Sequence, residues 1–177
     1  TITGRWATRL RIMDGKYVEF GEPDSVFIND GKGRFTALDW KTHFRNENGE
    51  PVEAPMDFSQ SVQIRDVNQD GHPDIYVCSD HQTPDRIWLG DGKGHFRAQH
   101  PFATRVVSHA ATGVDFADID RDGRLDFLVV EKLGRDFPQH LRAASSLGPR
   151  QRVPGTGDPV EAVDRNTLFH GRGDGTW

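Results

Sequence analysis

With 177 residues, the chain is sized for one domain. It is 34% hydrophobic and 28% charged, with 19 Gly, 10 Pro and 11 Phe, a mixture that excludes an architecture of long helices and favours short strands and tight turns. The net charge is −5 without a run of Lys or Arg, which argues against a nucleic-acid surface; the single cysteine, Cys78, excludes an internal disulfide framework, and no apolar run approaches the roughly 20 residues of a membrane-spanning helix.

No signal peptide is visible, and the chain begins at Thr1 and stops at Trp177 inside a repeated pattern, so it reads as a mature or partial chain. In the first 20 residues, Met13-Asp14-Gly15 is only a fragment of an acidic loop. Residues 25–35 read SVFINDGKGRF: a short apolar strand, a Gly-rich turn and an aromatic residue. This is a hairpin signature, because glycine accepts the positive φ such turns need. A long connection follows, about 39–59. Residues 66–74 then read DVNQDGHPD, and the apolar run Ile75-Tyr76-Val77-Cys78 follows at once. The hairpin pattern returns at 86–96 as RIWLGDGKGHF. The acidic pattern returns 52 residues after its first copy, at 118–126, as DIDRDGRLD, followed by Phe127-Leu128-Val129-Val130. The segment 132–166 is an insertion rich in Gly, Pro and Ser, with arginines at 135, 142, 150 and 152. The last hairpin, 167–177, reads TLFHGRGDGTW.

The order within a repeat is strand, acidic loop, strand, connection, strand, Gly turn, strand. That predicts a four-stranded antiparallel sheet. The second strands are apolar on both alternate faces, so each sheet is covered on both sides, as stacked blades are. The predicted fold is all-β: a partial β-propeller of four-stranded antiparallel blades, with acidic loops between strands 1 and 2. The chain divides into a partial blade at about 1–38, a blade at 60–98, and a blade at 112–177 carrying the insertion 132–166. A β-sandwich or solenoid that also uses acidic turns is the alternative. Too few repeats are present to close a usual ring, so other blades are expected from further sequence or another chain.

These loops and hairpins resemble the VCBS and FG-GAP repeats of integrin-α-type propellers. The run SVQIRDVNQDGHPDIYVCSD with RIWLGDGKGHF is most similar to bacterial relatives of cartilage acidic protein, whose repeats accompany an ASPIC/UnbV module. The resemblance covers roughly residues 20–177. No ASPIC/UnbV module is identified.

The acidic loops fit calcium, a hard cation that takes six to eight oxygens. The pattern D-x-[DN]-x-D-G-x-x-D offers side-chain oxygens at positions 1, 3, 5 and 9 and a backbone carbonyl at position 7. The first loop would use Asp66, Asn68, Asp70, Asp74 and the carbonyl of His72. The second would use Asp118, Asp120, Asp122, Asp126 and the carbonyl of Arg124. An EF-hand needs a Glu at position 12, where this chain has Val77 or Val129. Magnesium suits the loops less well, because it demands a stricter octahedron. The metal's expected role is structural: it cancels the repulsion of gathered carboxylates and staples strand 1 to strand 2.

Other signals are weaker. Arg172-Gly173-Asp174 spells a tripeptide that integrins recognise, but it falls where the other hairpins carry ordinary turn residues. Eight histidines are scattered without an HxH or HExxH spacing, which gives zinc little support. Asp57, Asp80, Asp85 and Glu131 could pair as acid and base across a cleft. No nucleophile elbow, P-loop or GxGxxG is present. Cys78 reads as a small buried hydrophobe.

The leading expectation is a calcium-binding extracellular or periplasmic module, secreted or at the cell surface, that presents loops to a protein or a glycan. It is more a binding scaffold than an enzyme. A propeller domain of a carbohydrate-active enzyme and a structural subunit of a larger assembly are the alternatives. In an up-and-down blade the connections 39–59 and 132–166 leave from one face and the acidic loops from the other. The partner is expected on the face with the long connections.

Overall fold

The structure, a computed structural model, describes residues 9–13, 16–80, 83–104, 106–108, 110–132, 161–163 and 165–177. It is all-β with little helix. The strands are β1 (Leu10–Met13), β2 (Lys16–Glu19), β3 (Phe27–Asn29), β4 (Phe35–Ala37), β5 (Phe44–Arg45), β6 (Phe58–Arg65) and β7 (Asp74–Asp80). They continue as β8 (Arg86–Gly90), β9 (Phe96–Ala98), β10 (Val106–Ser108), β11 (Ala111–Ala117), β12 (Asp126–Glu131), β13 (Glu161–Val163) and β14 (Thr167–Phe169). No helix among the described residues is long and apolar enough to cross a membrane.

The strands β6, β7, β8 and β9 are consecutive antiparallel neighbours, because short turns join them. A fifth strand, β5, adds parallel to β9 at the sheet edge. The second sheet repeats the first in part, with the order β11-β12-β14, all antiparallel. Even the irregularity recurs. The register slips between Ser59 and Ser61 in β6, and between Ala111 and Gly113 in β11, at equivalent places. A β-bulge at each point accommodates one extra residue.

Two apolar clusters hold β7 from both sides. Tyr76 and Cys78 face the second sheet and pack with Val114, Phe116, Phe127, Val129, Phe169 and Trp177. The rings meet edge to face or stacked: Tyr76–Phe127 at 5.4 Å, Phe127–Phe169 at 4.4 Å and Phe127–Trp177 at 5.4 Å. Such pairs add about 1 kcal/mol each beyond burial. Ile75 and Trp88 face the other way, onto Trp40 and Phe44. The run 75–78 of β7 is therefore apolar at every position, because neither face meets water. By contrast Leu128, Val130 and Leu168 leave one face of the second sheet exposed.

Two features depart from the sequence reading. The connection 39–59 is partly scaffold rather than free loop. Asp39 caps the short helix α1 (Trp40–His43) by accepting from the Thr42 amide, and Phe44 is fully buried against Trp40, Trp88 and Phe96. Second, β10 and β13 form a parallel pair that no repeat pattern announced. The insertion 132–166 lies outside the described residues from 133 to 160, and with it four of its five arginines, Arg135, Arg142, Arg150 and Arg152.

Candidate metal centre

Both acidic loops are wound by the same backbone bonds. In the first, Asp66 accepts from the amides of Asp70 (3.0 Å) and Gly71 (2.8 Å), and Asn68 Oδ1 accepts from the Asp70 amide (3.1 Å). In the second, Asp118 accepts from Asp122 (3.0 Å) and Gly123 (3.0 Å), and Asp120 Oδ1 accepts from the Asp122 amide (3.2 Å). Position 5 then receives the position 7 amide, from His72 to Asp70 and from Arg124 to Asp122. Position 4 takes a left-handed conformation in both loops, at Gln69 (φ 60°) and Arg121 (φ 65°), although neither is glycine. Sequence reasoning did not identify these strained residues. Gln69 also reaches across and donates to the Gly123 carbonyl of the second loop at 2.8 Å.

The closing aspartates are the buried members. Asp74 accepts from the amides of Val67 (2.9 Å) and Gly90 (2.8 Å), and Asp126 from Ile119 (3.0 Å) and Gly171 (2.8 Å). Each thus ties its own loop to the third strand's hairpin. Burial pushes the Asp74 carboxyl above its ordinary value, outweighing the amides that lower it. Burial acts on Asp126 too, but the amides of Gly171 and Ile119 and the His170 ring outweigh it, so its carboxyl is lowered.

Position 7 turns its side chain over the Gly-rich hairpin of the same sheet. A Cβ on Gly92, at φ 70°, would lie 2.4 Å from the His72 ring, and one on Gly173, at φ 78°, would lie 2.8 Å from Arg124 Nε. Gly173 is the centre of the Arg-Gly-Asp tripeptide, so the backbone there is shaped by a turn and by this close approach.

Charge is handled differently in the two loops. In the first, the Asn68 amide donates to Asp70 Oδ2 at 2.9 Å. In the second, the equivalent Asp120 has a carboxylate where Asn68 has an amide, and basic side chains gather there instead. Arg124 Nη1 lies 3.6 Å from Asp122, and His170 lies 3.2 Å from Asp120 through Nε2 and 3.1 Å from Asp126 through Nδ1. Donor atoms of Asp118, Asp120 and Asp126 converge, as do those of Asp120, Asp122 and His170. These residues could hold a divalent cation. Acceptor oxygens from positions 1, 3, 5 and 9 lie on one short loop, as an oxygen-seeking ion requires. The role of His170 was missed in the sequence, because only the fold brings it beside Asp120. Its place directly before Gly171, which donates to Asp126, was the available signal.

The four other carboxylates each have a structural partner. Asp57 pairs with Arg86, and Asp80 with Lys132 at 3.2 Å. Asp85 accepts from Tyr76 Oη at 2.9 Å and from the Ser79 amide at 2.8 Å, while burial raises its pKa to about 7. Glu131 accepts from the Ser108 hydroxyl and from the Ala110 amide at 2.9 Å. The Cys78 thiol is buried and pushed up to about 11 by that burial, so it is a core hydrophobe, not a nucleophile.

The family model of an FG-GAP-like repeat matches residues 66–129, from the first acidic loop into β12. No curated protein and no solved structure matches the chain.

Proposed function

We propose that the chain is a stretch of calcium-binding propeller whose four-stranded blades serve as a rigid scaffold for binding a protein or a glycan outside the cytosol. One observation carries the calcium reading: two loops 52 residues apart share a full set of oxygen donors and the same backbone hydrogen bonds, within the segment that matches an FG-GAP-like repeat. Asp66, Asn68, Asp70, Asp74 and the His72 carbonyl hold the first ion. Asp118, Asp120, Asp122, Asp126 and the Arg124 carbonyl hold the second. The ions neutralise the gathered carboxylates and fix the strand 1 to strand 2 turns. Free calcium is abundant outside cells, which suits secretion, the periplasm or the cell surface. The partner binds on the face of the long connections, chiefly 132–166, where arginine is frequent and suited to interfaces.

Calorimetry at millimolar calcium is the test. Two ions should bind, and chelation should lower the melting temperature, since a ligand at about 100 times its Kd stabilises by about 2.7 kcal/mol. Absence of heat and an unchanged melt would remove the calcium reading. Replacing 135–163 with a short Gly-Ser link should preserve calcium binding and abolish partner capture. Unfolding of that variant would instead make the segment part of the scaffold.

A further inference from the structure

The two hairpins that follow the acidic loops differ at one aligned position. In the first, RIWLG places Leu89 before Gly90. In the second, TLFHG places His170 before Gly171. The glycines do the same work, since the amides of Gly90 and Gly171 donate to Asp74 and Asp126. The histidine is thus an addition to a shared frame, and it stands at the mouth of the second acidic loop.

Its two nitrogens are used differently. Nδ1 lies 3.1 Å from Oδ1 of Asp126, a carboxylate that is itself buried and anchored by the Ile119 and Gly171 amides. A histidine that ligates a metal commonly donates its other ring N–H to a carboxylate, which fixes the tautomer and aims the free nitrogen. Here that free nitrogen is Nε2, and it lies 3.2 Å from Oδ2 of Asp120. Two ligands on a tetrahedral ion, each at about 2.1 Å, are separated by about 3.4 Å. Asp122 belongs to the same group, in which one donor atom from each of Asp120, Asp122 and His170 lies within 4.8 Å of the others. All three side chains are open to solvent, so an ion has access.

We infer that the second acidic loop is also a site for a nitrogen-seeking divalent transition ion, with zinc as the reference case. His170 Nε2, Asp120 and Asp122 bind the ion, and Asp126 orients the imidazole. Imidazole suits zinc and its neighbours, whereas calcium takes oxygen. The first loop holds an amide at position 3 and a leucine at the hairpin position, so it lacks two of these donors and stays an oxygen site. Zinc and calcium therefore compete at the second loop only. The inference rests on the loop reading given above for its two carboxylates, but not on calcium being the resident ion.

The test is titration of the intact chain with zinc, and with cobalt as a spectroscopic probe, each with and without saturating calcium. The parent should bind one zinc at the second loop. His170→Leu, which installs the first repeat's own residue, should weaken that zinc at least tenfold and reduce the visible cobalt bands, while two calcium ions still bind. The pair Leu89→His with Asn68→Asp should give the first loop a zinc site. If zinc affinity and cobalt spectra are the same in the parent and His170→Leu, the inference is overturned. If calcium binds neither loop but zinc binding still depends on His170, the calcium reading fails and this inference stands.

Discussion

The two repeats exchange a carboxylate for an amide at two aligned positions, in opposite directions. At loop position 3 the first repeat has Asn68 and the second Asp120. At the residue before strand 3 the first has Asp85 and the second Asn166. The backbone does not register the exchange. Asn68 and Asp120 both accept the position 5 amide. Asp85 accepts from the Ser79 amide at 2.8 Å, and Asn166 accepts from the equivalent Glu131 amide at 2.9 Å. The fold needs a side-chain oxygen at each place and is indifferent to its charge. Charge is then free to vary, and it is what should separate the repeats in ion affinity and in pH response.

The largest expected effect tests the sameness of the frame. Asp74→Ala leaves two buried amides without an acceptor, and Asp126→Ala leaves the buried Gly171 amide and the part-buried Ile119 amide without one. At about 1–3 kcal/mol for each orphaned group, both should cost about 4 kcal/mol in chemical denaturation. A mild Asp126→Ala beside a severe Asp74→Ala would break the equivalence of the two closing residues.

Next comes the pH response, which belongs to the first repeat. The folded state holds a proton on Asp85 up to about pH 7, whereas the unfolded chain releases it near pH 4. Between these values the native state binds more protons, so stability falls as pH rises from about 4 to 7 and levels off above. Asp85→Asn, which copies the second repeat, should remove this slope and gain about 2 kcal/mol at pH 8. Thermal melts across that range would read it, and an unchanged slope would return the pH response to other groups.

The smallest effect concerns affinity. The second loop gathers four carboxylates and the first three, so calcium should bind the second about tenfold more tightly. Asn68→Asp should remove most of that difference. Titrations of Asp122→Ala and Asp70→Ala isolate the two sites, and equal affinities would show that loop geometry outweighs charge.

The loops and hairpins were legible in the sequence because their causes are local. Asp, Asn and Gly at fixed offsets make a turn wherever they occur, and the run 75–78 of β7 reads as apolar at every position because it is covered twice. The parallel additions were not legible. The two-residue β5 is held by Phe44 packing on Trp88 and Phe96, which no short-range pattern encodes. The left-handed Gln69 and Arg121 were hidden for the opposite reason: residue type gives no hint, and only closure of the loop forces the angle. His170 gained its meaning from two carboxylates more than forty residues away in the chain.

The unequal connections between the second and third strands also set an order of assembly. Five residues, 81–85, join β7 to β8, while thirty-five, 132–166, separate β12 from β14. Closing the longer span costs about 1.7 kcal/mol more in chain entropy, a penalty met before any pairing of β12 with β14 rewards it. Strands β6 to β9 of the first sheet are joined by successive short connections and can pair as soon as they exist. It then offers a ready surface to the second: Gln63 donates to the Val114 carbonyl at 3.2 Å and Arg65 to the Phe116 carbonyl at 2.9 Å, drawing β11 alongside β6. Folding should therefore run from the first repeat to the second, with β14 the last strand to pair, bringing the following hairpin and His170 to the loop they complete.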